Sequence, residues 1–526
     1  MHDPFTLSVI QAGLNSAAEE MFAILRKTAM SPIIYEVLDV GTGVTDALGN
    51  LVSSGAGIPT FVGVLDKAVQ VIVARHSDTI CDGDVFITND PNHGGVTHLN
   101  DVVIAKPVFF GGVCVAWTAS IAHWGDIGGK VPGSMATDVT EIFAEGLRLP
   151  AVRLIDQGRE VRGVFDIIEV NSRLPDFVHG DLRAQLAASN GAEAQILALF
   201  ETYGKDAVET AIEDSFKTGR ARAMAGLATL PKGKFEIEEK QDDGAIWRAT
   251  IAITDDKFSV DLTGNPVERA APYNTGRDGA VIACQMIFKA LCDPERFANA
   301  GSFAPLEVIT EQGTIFHAGP TAPHGYYFET RIRLFDMLWQ CMARAMPGHL
   351  PAGSFSSIFG TVIAGKHPDT GRKYTLVEPQ MGGWGATLTR DGMDAMFSPS
   401  HGDTFNCPVE ISEARYGLNV VHKSLLERPE TQPGHSGGRG VSLLYELRAE
   451  ATLSVGYTRA KIPVWSIGAA APGGKNTMQI LRASGAKERH QFASGIELGE
   501  GDRVLIETAY GGNARRSSQT ALSEEK

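Results

Sequence analysis

NDPNHGGVTHLNDVVIAKPVFF (residues 89–110) and VCVAWTASIAHWGDIGG (residues 113–129) each join a glycine-rich loop to an apolar run of strand length. β-Branched and aromatic residues predominate in both apolar runs, as is typical of strands. The pair Gly111-Gly112 separates the runs and favours a tight turn between them. The sequence therefore predicts β-sheets that carry glycine-rich loops, and we expect the active site on these loops.

Helical and strand patterns alternate along the rest of the chain. Apolar residues recur at helical spacing from Pro4 to Thr28 and again over residues 278–292. Residues 180–228 are rich in helix formers, whereas IWRATIAI at 246–253 alternates as a strand does. The predicted fold class is therefore α/β (mixed α+β).

The length of 526 residues points to several domains, because a domain usually holds roughly 100–200 residues. The polar stretch from Pro231 to Gly244 is the best linker candidate, and strand-like runs predominate after residue 440. We expect a multi-domain protein, and its predicted parts are an N-terminal α/β domain with the candidate site (1–230), a central mixed α/β domain (231–440) and a β-rich C-terminal segment with a flexible tail (441–526).

Charge and apolar patterning exclude several classes of protein. The 62 acidic and 47 basic residues give a formal charge of −15, which repels nucleic acid and anionic lipid. The sequence has no apolar window long enough for a membrane span and no signal peptide pattern. The six cysteines include no CxxC pair, so we interpret them as reduced. These features predict a cytoplasmic protein that binds neither nucleic acid nor a membrane.

Two His-x-x-Asp pairs, His98 with Asp101 and His123 with Asp126, mark the junctions between loop and strand. Neutral imidazole and carboxylate groups together suit Zn, Mn or Fe, and the absence of nearby cysteines argues against a closed structural zinc site. The alternative interpretation is that these short polar side chains cap turns and bond to the loop backbone. Spacing alone leaves both interpretations open.

The two residues of a pair can bind the same ion only if the backbone turns between them, since residues three apart on a regular strand face opposite sides. Gly94-Gly95 and Gly128-Gly129 make such turns easier. Asp39, in YEVLDVGTG, is a candidate for an additional carboxylate from a separate strand, and Glu36 competes with it.

Other motifs of enzymes are weak or missing. The glycine-rich stretches 381–386 (MGGWGA) and 435–440 (HSGGRG) bring backbone amides close together, either for an anion or for tight structural turns. The sequence contains no Walker-type phosphate loop and no GxSxG nucleophile motif. The chain therefore shows no ATP site of its own.

The loops at 89–109 and 122–135, together with more distant motifs, carry a resemblance to a known family. The chain resembles the B subunit of the ATP-dependent hydantoinase and 5-oxoprolinase family, to which caprolactamase and the acetone and acetophenone carboxylase subunits are related. The further motifs are TEIFAEGLRLP (140–150), DLTGN (261–265), PYNTGRDGA (272–280), MGGWGA, NCPVEISEARYGL (406–418) and HSGGRG.

This resemblance implies a metal-dependent hydrolase that acts on a cyclic amide such as a hydantoin, 5-oxoproline or a lactam. A partner, the actin-like ATPase A subunit, binds ATP and phosphorylates the amide carbonyl oxygen, and metal-activated water then opens the ring. The implied assembly is a hetero-oligomer such as α2β2. The resemblance implies Asp39, His98, Asp101 and His123 as ligands of a divalent metal ion (Zn, Mn or Fe), with His98, Asp101, His123 and Asp126 as the catalytic residues.

Two other functions compete with this one. A ketone carboxylase subunit of the acetone or acetophenone type would use the same phosphorylated-carbonyl logic. A non-catalytic scaffold would only dock and regulate the ATPase partner.

Overall fold

The computed structural model describes residues 3–295, 297–402, 404–428 and 433–516, and the predicted flexible tail falls largely on residues outside these ranges. The α-helices are α1 Pro4–Thr28, α2 Pro32–Tyr35, α3 Pro59–His76, α4 Arg162–Asn171, α5 Pro175–Tyr203, α6 Lys205–Thr229, α7 Arg277–Cys292, α8 Tyr327–Ala345 and α9 Val409–Arg415. Short 3-10 helices occur at Ser77–Thr79, Ile142–Ala144 and Ala300–Phe303.

The strands of the first half are β1 Val40–Asp46, β2 Leu51–Gly57, β3 Val85–Thr88, β4 Asp101–Phe110, β5 Val113–His123, β6 Val152–Asp156, β7 Arg159–Glu160, β8 Gly233–Lys240, β9 Ile246–Ile253 and β10 Phe258–Asp261. The later strands are β11 Leu306–Ile309, β12 Gly360–Lys366, β13 Lys373–Glu378, β14 Leu418–Leu425, β15 Val441–Leu447, β16 Ala451–Gly456, β17 Ile467–Gly468, β18 Thr477–Leu481, β19 Lys487–Arg489, β20 Phe492–Leu498, β21 Arg503–Glu507 and β22 Ala514–Arg515. The predicted mixed α/β fold is confirmed.

A seven-stranded antiparallel sheet in the order β2-β1-β5-β4-β3-β6-β7 carries the site. Helices α1 and α5 pack on one face and α3 packs on the other. Alternate residues of β4 enter different cores: Val102 and Ile104 face the α1 side, whereas Val103 and Ala105 face α3. Because both faces of β4 are buried, its sequence is a continuous apolar run and does not alternate between apolar and polar residues.

The prediction of a linker at residues 231–244 is wrong, because these residues contain β8. This strand pairs with β9 in a four-stranded sheet of order β11-β10-β9-β8, which α8 covers. Ile237 is buried there, while the charged residues on either side of it face outward. The polar composition therefore reflects the solvent face of an edge strand and not a linker.

Two further sheets join chain segments on both sides of residue 440. Their orders are β13-β12-β16-β20 and β14-β15-β21-β18-β19, so strands from the predicted central domain pair with strands from the predicted C-terminal segment. Packed aliphatic and aromatic side chains from both segments belong to the same hydrophobic core as the first sheet. The division into three parts stays a prediction.

The glycine-rich stretches 381–386 and 435–440 pack against each other. The amide of Gly438 donates to the Trp384 carbonyl at 2.8 Å, and the amide of Gly511 donates to the Gly438 carbonyl at 3.0 Å. A Cβ on Gly438 would lie 1.8 Å from the carbonyl oxygen of Met393, so the backbones approach more closely than any side chain permits. These contacts support the interpretation as tight structural turns.

Within the described ranges, no helix combines the length and the apolar character that crossing a bilayer requires.

Candidate metal centre

Three polar residues stand side by side at one end of the first sheet. Asp101, the first residue of β4, lies opposite His123, the last residue of β5. Asp39 immediately precedes β1, which pairs with the other edge of β5, and its carbonyl accepts a hydrogen bond of 3.1 Å from the His123 amide. Because adjacent strands lie about 4.8 Å apart, the three side chains converge.

The backbone turns that these positions need involve residues with positive φ. Gly95, Gly128 and Gly129 have φ of 68°, 89° and 77°, the left-handed region that glycine adopts without steric cost. Leu38, directly before Asp39, has φ of 64°, a conformation that costs a non-glycine residue on the order of 1–2 kcal/mol. Local strain of this kind tends to occur at functional sites.

His98 lies in the turn before β4, and a carbonyl fixes its protonation. Its Nδ1 is 2.9 Å from the carbonyl oxygen of Gly325, which can only accept a hydrogen bond, so Nδ1 carries a proton. Its Nε2 lies 3.0 Å from Oδ1 of Asp101. An unprotonated nitrogen this close to a carboxylate oxygen is repelled by it, so the pair needs either a second proton on His98 or a cation near both atoms.

The two carboxylate oxygens of Asp101 have different surroundings. Oδ2 accepts hydrogen bonds from the hydroxyls of Thr97, at 2.5 Å, and Tyr327, at 3.3 Å. Oδ1 faces His98 and also Nδ1 of His123, at 3.4 Å, but no group in the described ranges is aligned to donate a hydrogen bond to it. The hydroxyls thus orient Asp101 so that Oδ1 points at the two imidazoles.

The unsatisfied atoms fit a divalent metal ion. Oδ1 of Asp39, Oδ1 of Asp101 and Nε2 of His123 are buried without a hydrogen-bond partner in the part of the chain that the structure describes. Ligand atoms of His98, Asp101 and His123 lie within 4.8 Å of one another. Two imidazoles and a carboxylate are the donors that Zn, Mn and Fe accept, and burying such atoms unpaired is costly.

Asp39 stands at the edge of this group. Its Oδ2 is 3.9 Å from Nδ1 of His123, and its carboxyl lines the same small pocket as the other three residues. Burial raises the pKa of Asp39 to about 6. A nearby cation would favour its ionised form, so its role as a fourth ligand stays a prediction.

The pKa values of Asp101 and His98 are shifted in opposite directions. Burial alone would raise the pKa of Asp101, but the adjacent imidazoles of His98 and His123 hold it well below its usual range. Burial alone would lower the pKa of His98, but Asp101 raises it. The site therefore keeps a carboxylate ionised although it is fully buried.

Asp126 lies apart from these residues and orders the loop that follows β5. Its Oδ1 accepts hydrogen bonds from the amides of Gly128, at 3.1 Å, and Arg173, at 2.9 Å, and its Oδ2 accepts one from the Gly133 amide at 2.9 Å. The Arg173 guanidinium pairs with the same Oδ2 at 3.2 Å. The structure brings Asp39, His98, Asp101 and His123 together and does not add Asp126 to them.

A family model described as Hydantoinase B/oxoprolinase matches residues 3–513. The chain belongs to this family. The resemblance noted in the sequence is thereby confirmed over nearly its whole length.

Individual members of the hydantoinase B/oxoprolinase family agree with this assignment. An uncharacterized protein of Methanocaldococcus jannaschii is 30% identical over 97% of this chain and 90% of its own. Caprolactamase subunit beta of Pseudomonas jessenii is 28% identical over 99% of this chain and 93% of its own.

Two solved structures share the fold. A crystal structure of the ATP-dependent caprolactamase from Pseudomonas jessenii superposes with a TM-score of 0.90 and 25% identity, covering all of this chain and 94% of the other. A nucleotide-free acetone carboxylase structure has a TM-score of 0.87 with 17% identity, covering all of this chain and 78% of the other, which shows the fold alone.

Several residues of the pocket were missed by sequence reasoning. Arg331 and His401 line the same pocket as the cluster, and Tyr327 both lines it and bonds to Asp101. Burial, followed by the charge of Arg331, lowers the pKa of His401 to about 3, so this imidazole is neutral. No motif in the sequence marks these positions, because α8 and the loop at 398–402 reach the site only through the tertiary fold.

Glu145 supports the centre from behind His98. Its carboxylate accepts hydrogen bonds from the amides of His324, at 2.9 Å, and Gly325, at 2.5 Å. The carbonyl of Gly325 in turn accepts the Nδ1 proton of His98. Glu145 is therefore a positioning residue, since it fixes the peptide that orients the imidazole.

Replacing Glu145 by glutamine should weaken divalent metal binding by about 10–100-fold, the usual effect of losing a group that orients a ligand. A glutamine side chain can accept from one amide only, and its own amide group then opposes the other donor. Competition with a chelating dye measures the change. Glu141→Gln is the matched control, since Glu141 is exposed in the same loop, and an equal loss in both variants would contradict the assignment.

Proposed function

We propose that this chain is the hydrolytic B subunit of an ATP-dependent cyclic amidase of the hydantoinase, oxoprolinase or lactamase type. The observation that carries the proposal is the buried group of His98, Asp101 and His123: their ligand atoms lie within 4.8 Å of one another, and Oδ1 of Asp101 and Nε2 of His123 have no hydrogen-bond partner in the described ranges. A scaffold that only docks a partner gains nothing from this arrangement, because unpaired buried polar atoms lower stability.

The substrate class follows from the family and from the chemistry of amides. Nitrogen donates electrons into the carbonyl of an unstrained lactam, which makes the carbon a poor electrophile. Phosphorylation of the oxygen removes this donation. The chain has no phosphate-binding loop of the Walker type, so we assign phosphorylation to an actin-like ATPase A subunit that binds ATP, in a hetero-oligomer such as α2β2.

In this proposal His98, Asp101, His123 and Asp39 hold a divalent ion, which lowers the pKa of water when bound and so supplies a nucleophile at neutral pH. Gly325 keeps the His98 proton on Nδ1 and leaves Nε2 free to bind. Thr97 and Tyr327 hold Oδ2 of Asp101 and direct its Oδ1 inward. Asp126, proposed from sequence as catalytic, would act by shaping the loop after His123.

An activity screen of the chain reconstituted with its ATPase partner tests the proposal. Hydantoin, 5-oxoproline, caprolactam and ketones are supplied with ATP, and ring opening is followed by chromatography. We expect ring opening that needs both subunits, ATP and a divalent metal ion. Full activity in a chelator, with no metal in the purified protein, would refute the mechanism.

The same screen separates the competing functions. ATP consumption that requires bicarbonate and a ketone would identify a carboxylase subunit, the function named for the acetone carboxylase that shares this fold. Unchanged turnover after substitution of both His98 and His123 would indicate a scaffold. Robust ATP hydrolysis by this chain alone would contradict the division of labour between subunits.

A further inference from the structure

Arg331 is a buried arginine whose charge is left without an ion-pair partner. Its side chain is 1% exposed, its Nη1 donates to the Ser400 carbonyl at 3.2 Å and approaches the Met286 sulfur at 3.7 Å. Nε is buried without a hydrogen-bond partner in the ranges that the structure describes, and no carboxylate there lies within ion-pair distance of the guanidinium. The guanidinium carbon lies 6.0 Å from the centre of the Tyr327 ring. At least one N–H donor of this buried charge is therefore free.

Two other arginines that are equally buried each form ion pairs with carboxylates. Arg333 pairs with Asp336 at 2.7 Å and also with Glu239. Arg459 pairs with Asp336 at 2.6 Å and with Glu239 at 3.0 Å. Arg331 lies two residues from Arg333 on α8, yet it has neither kind of contact. Buried charges are usually paired, so an unpaired one suggests a ligand that brings the missing negative charge.

The pocket that contains the metal ligands is too small for a ring substrate. Its volume is about 40 Å³, enough for a few water-sized spheres of about 10–15 Å³ each. Arg331 lines this pocket together with His98, Asp101 and His123. A substrate must therefore approach from a neighbouring space.

A second cavity, of about 700 Å³, adjoins the metal pocket across the start of α3. Thr60 lines the small pocket, whereas its neighbours Pro59 and Gly63 line the large cavity. Met286 lines the large cavity and touches Arg331 through its sulfur. The Thr60 hydroxyl donates to the same Ser400 carbonyl, at 3.0 Å, that Arg331 binds. Arg331 thus stands in the wall between the two spaces.

The large cavity suits the uncharged part of a cyclic amide. Apolar side chains that line it include Ile282, Met286, Phe335, Trp339 and Trp384. Binding sites for small molecules are commonly of this size, mostly apolar, with few polar groups. A ring held here would direct its activated carbonyl toward the wall that contains Arg331.

We propose that Arg331 binds the phosphoryl oxygens of the activated substrate at the boundary between the 700 Å³ cavity and the metal pocket. This inference rests on the proposed function and adds the group that recognises the activated form. Nε is the donor left free, and a guanidinium can set two neighbouring N–H groups against two oxygens of a phosphate, a geometry that lysine does not offer. An unphosphorylated amide lacks these oxygens, so Arg331 favours the form that is ready to react.

The test uses inorganic phosphate as the probe and does not depend on turnover. The full chain is loaded with Mn²⁺, and the relaxation rate of the phosphate ³¹P signal is measured as protein is added. We expect a saturable increase with wild-type protein. In Arg331→Met the dissociation constant for phosphate should rise by at least about tenfold, as expected for losing charged hydrogen bonds, while the bound Mn²⁺ stays unchanged.

Arg344→Met is the matched control, because Arg344 is an exposed arginine of the same helix that lines neither pocket; we expect unchanged phosphate binding. Arg331→Lys keeps the charge and replaces Arg331→Met if that variant does not fold, and it should still bind phosphate more weakly because it lacks the fork. Phosphate binding by both Arg331 variants at the wild-type affinity would overturn the proposal. So would a preference of the wild-type chain for bicarbonate over phosphate.

Measuring Mn²⁺ binding and phosphate binding separately distinguishes an error in the proposed metal centre from an error in the proposed anion site. If the wild-type chain binds no Mn²⁺, calorimetric titration of metal-free protein with phosphate replaces the relaxation measurement. Phosphate binding that Arg331→Met weakens would then support the anion site while refuting the metal mechanism. Absence of phosphate binding in a chain that does bind Mn²⁺ would refute only the anion site.

Discussion

His98→Ala should remove the bound metal ion and lower ATP-dependent ring opening by at least about 10³-fold, since a bound ion lowers the pKa of water by roughly 9 units and its loss removes the nucleophile. The chain should stay folded. Within the part of the chain that the structure describes, Nδ1 of His98 donates to the Gly325 carbonyl and its other ring nitrogen faces Asp101. His123→Ala should have the same effect, because Nδ1 of His123 lies 3.4 Å from Oδ1 of Asp101 in the same cluster.

Metal content by elemental analysis and turnover of the reconstituted complex measure this result, and circular dichroism checks the fold. His179→Ala is the matched control: this exposed histidine on α5 contacts the Arg183 side chain and lies outside the pocket. We expect wild-type metal content and turnover in the control. Turnover at the wild-type rate in His98→Ala would refute the metal mechanism.

Glu329→Ala should lower the free energy of unfolding by about 3–5 kcal/mol, because several buried donors lose their acceptor and each such loss costs about 1–3 kcal/mol. The Glu329 carboxylate is fully buried and accepts hydrogen bonds from the hydroxyl of Ser357 at 2.9 Å, the amide of Ile358 at 2.8 Å and the amide and hydroxyl of Thr458 at 2.9 and 2.7 Å. Alanine leaves the amides of Ile358 and Thr458 without this acceptor, whereas the Thr458 hydroxyl keeps the Ser356 carbonyl at 3.1 Å.

Urea denaturation followed by fluorescence gives the change in unfolding free energy. Glu201→Ala, on the exposed end of α5, is the control and should change this free energy by less than about 0.5 kcal/mol. Glu329 lies two residues from Arg331 on α8, so it also fixes the helix that presents Arg331 to the pocket. A loss below about 1 kcal/mol in Glu329→Ala would show that the donors find water instead.

Sequence patterns predicted elements that depend on local chemistry. The first helix, Pro4–Thr28, has the bounds that its apolar spacing and the following proline indicate. The stretch Leu48-Gly49-Asn50, whose residue types favour a turn, joins β1 and β2 as a hairpin. The linker over residues 231–244 failed because a strand with one solvent face has the same polar composition as a linker.

Helix α8 shows why other features could not be predicted. Glu329, Arg331 and Arg333 alternate with apolar or neutral residues in YFETRIRLF, which resembles an exposed strand more than a buried helix. All three charged side chains are buried, and segments far away in the sequence contribute to their surroundings, such as Thr458 beside Glu329 and Glu239 beside Arg333. Local periodicity carries no information about such partners.

The sequence by itself determined the family and the two glycine-rich loops with His98, Asp101 and His123, because the glycines that turn the chain and the ligands that it presents lie within a few residues of each other. Tertiary structure decided the rest. It set Asp39 beside His123 through strand pairing, separated Asp126 from the cluster through hydrogen bonds to its own loop, and brought Arg331 and His401 to the pocket. Contacts between distant segments depend on how sheets and helices pack, and that packing is not encoded in any single stretch of residues.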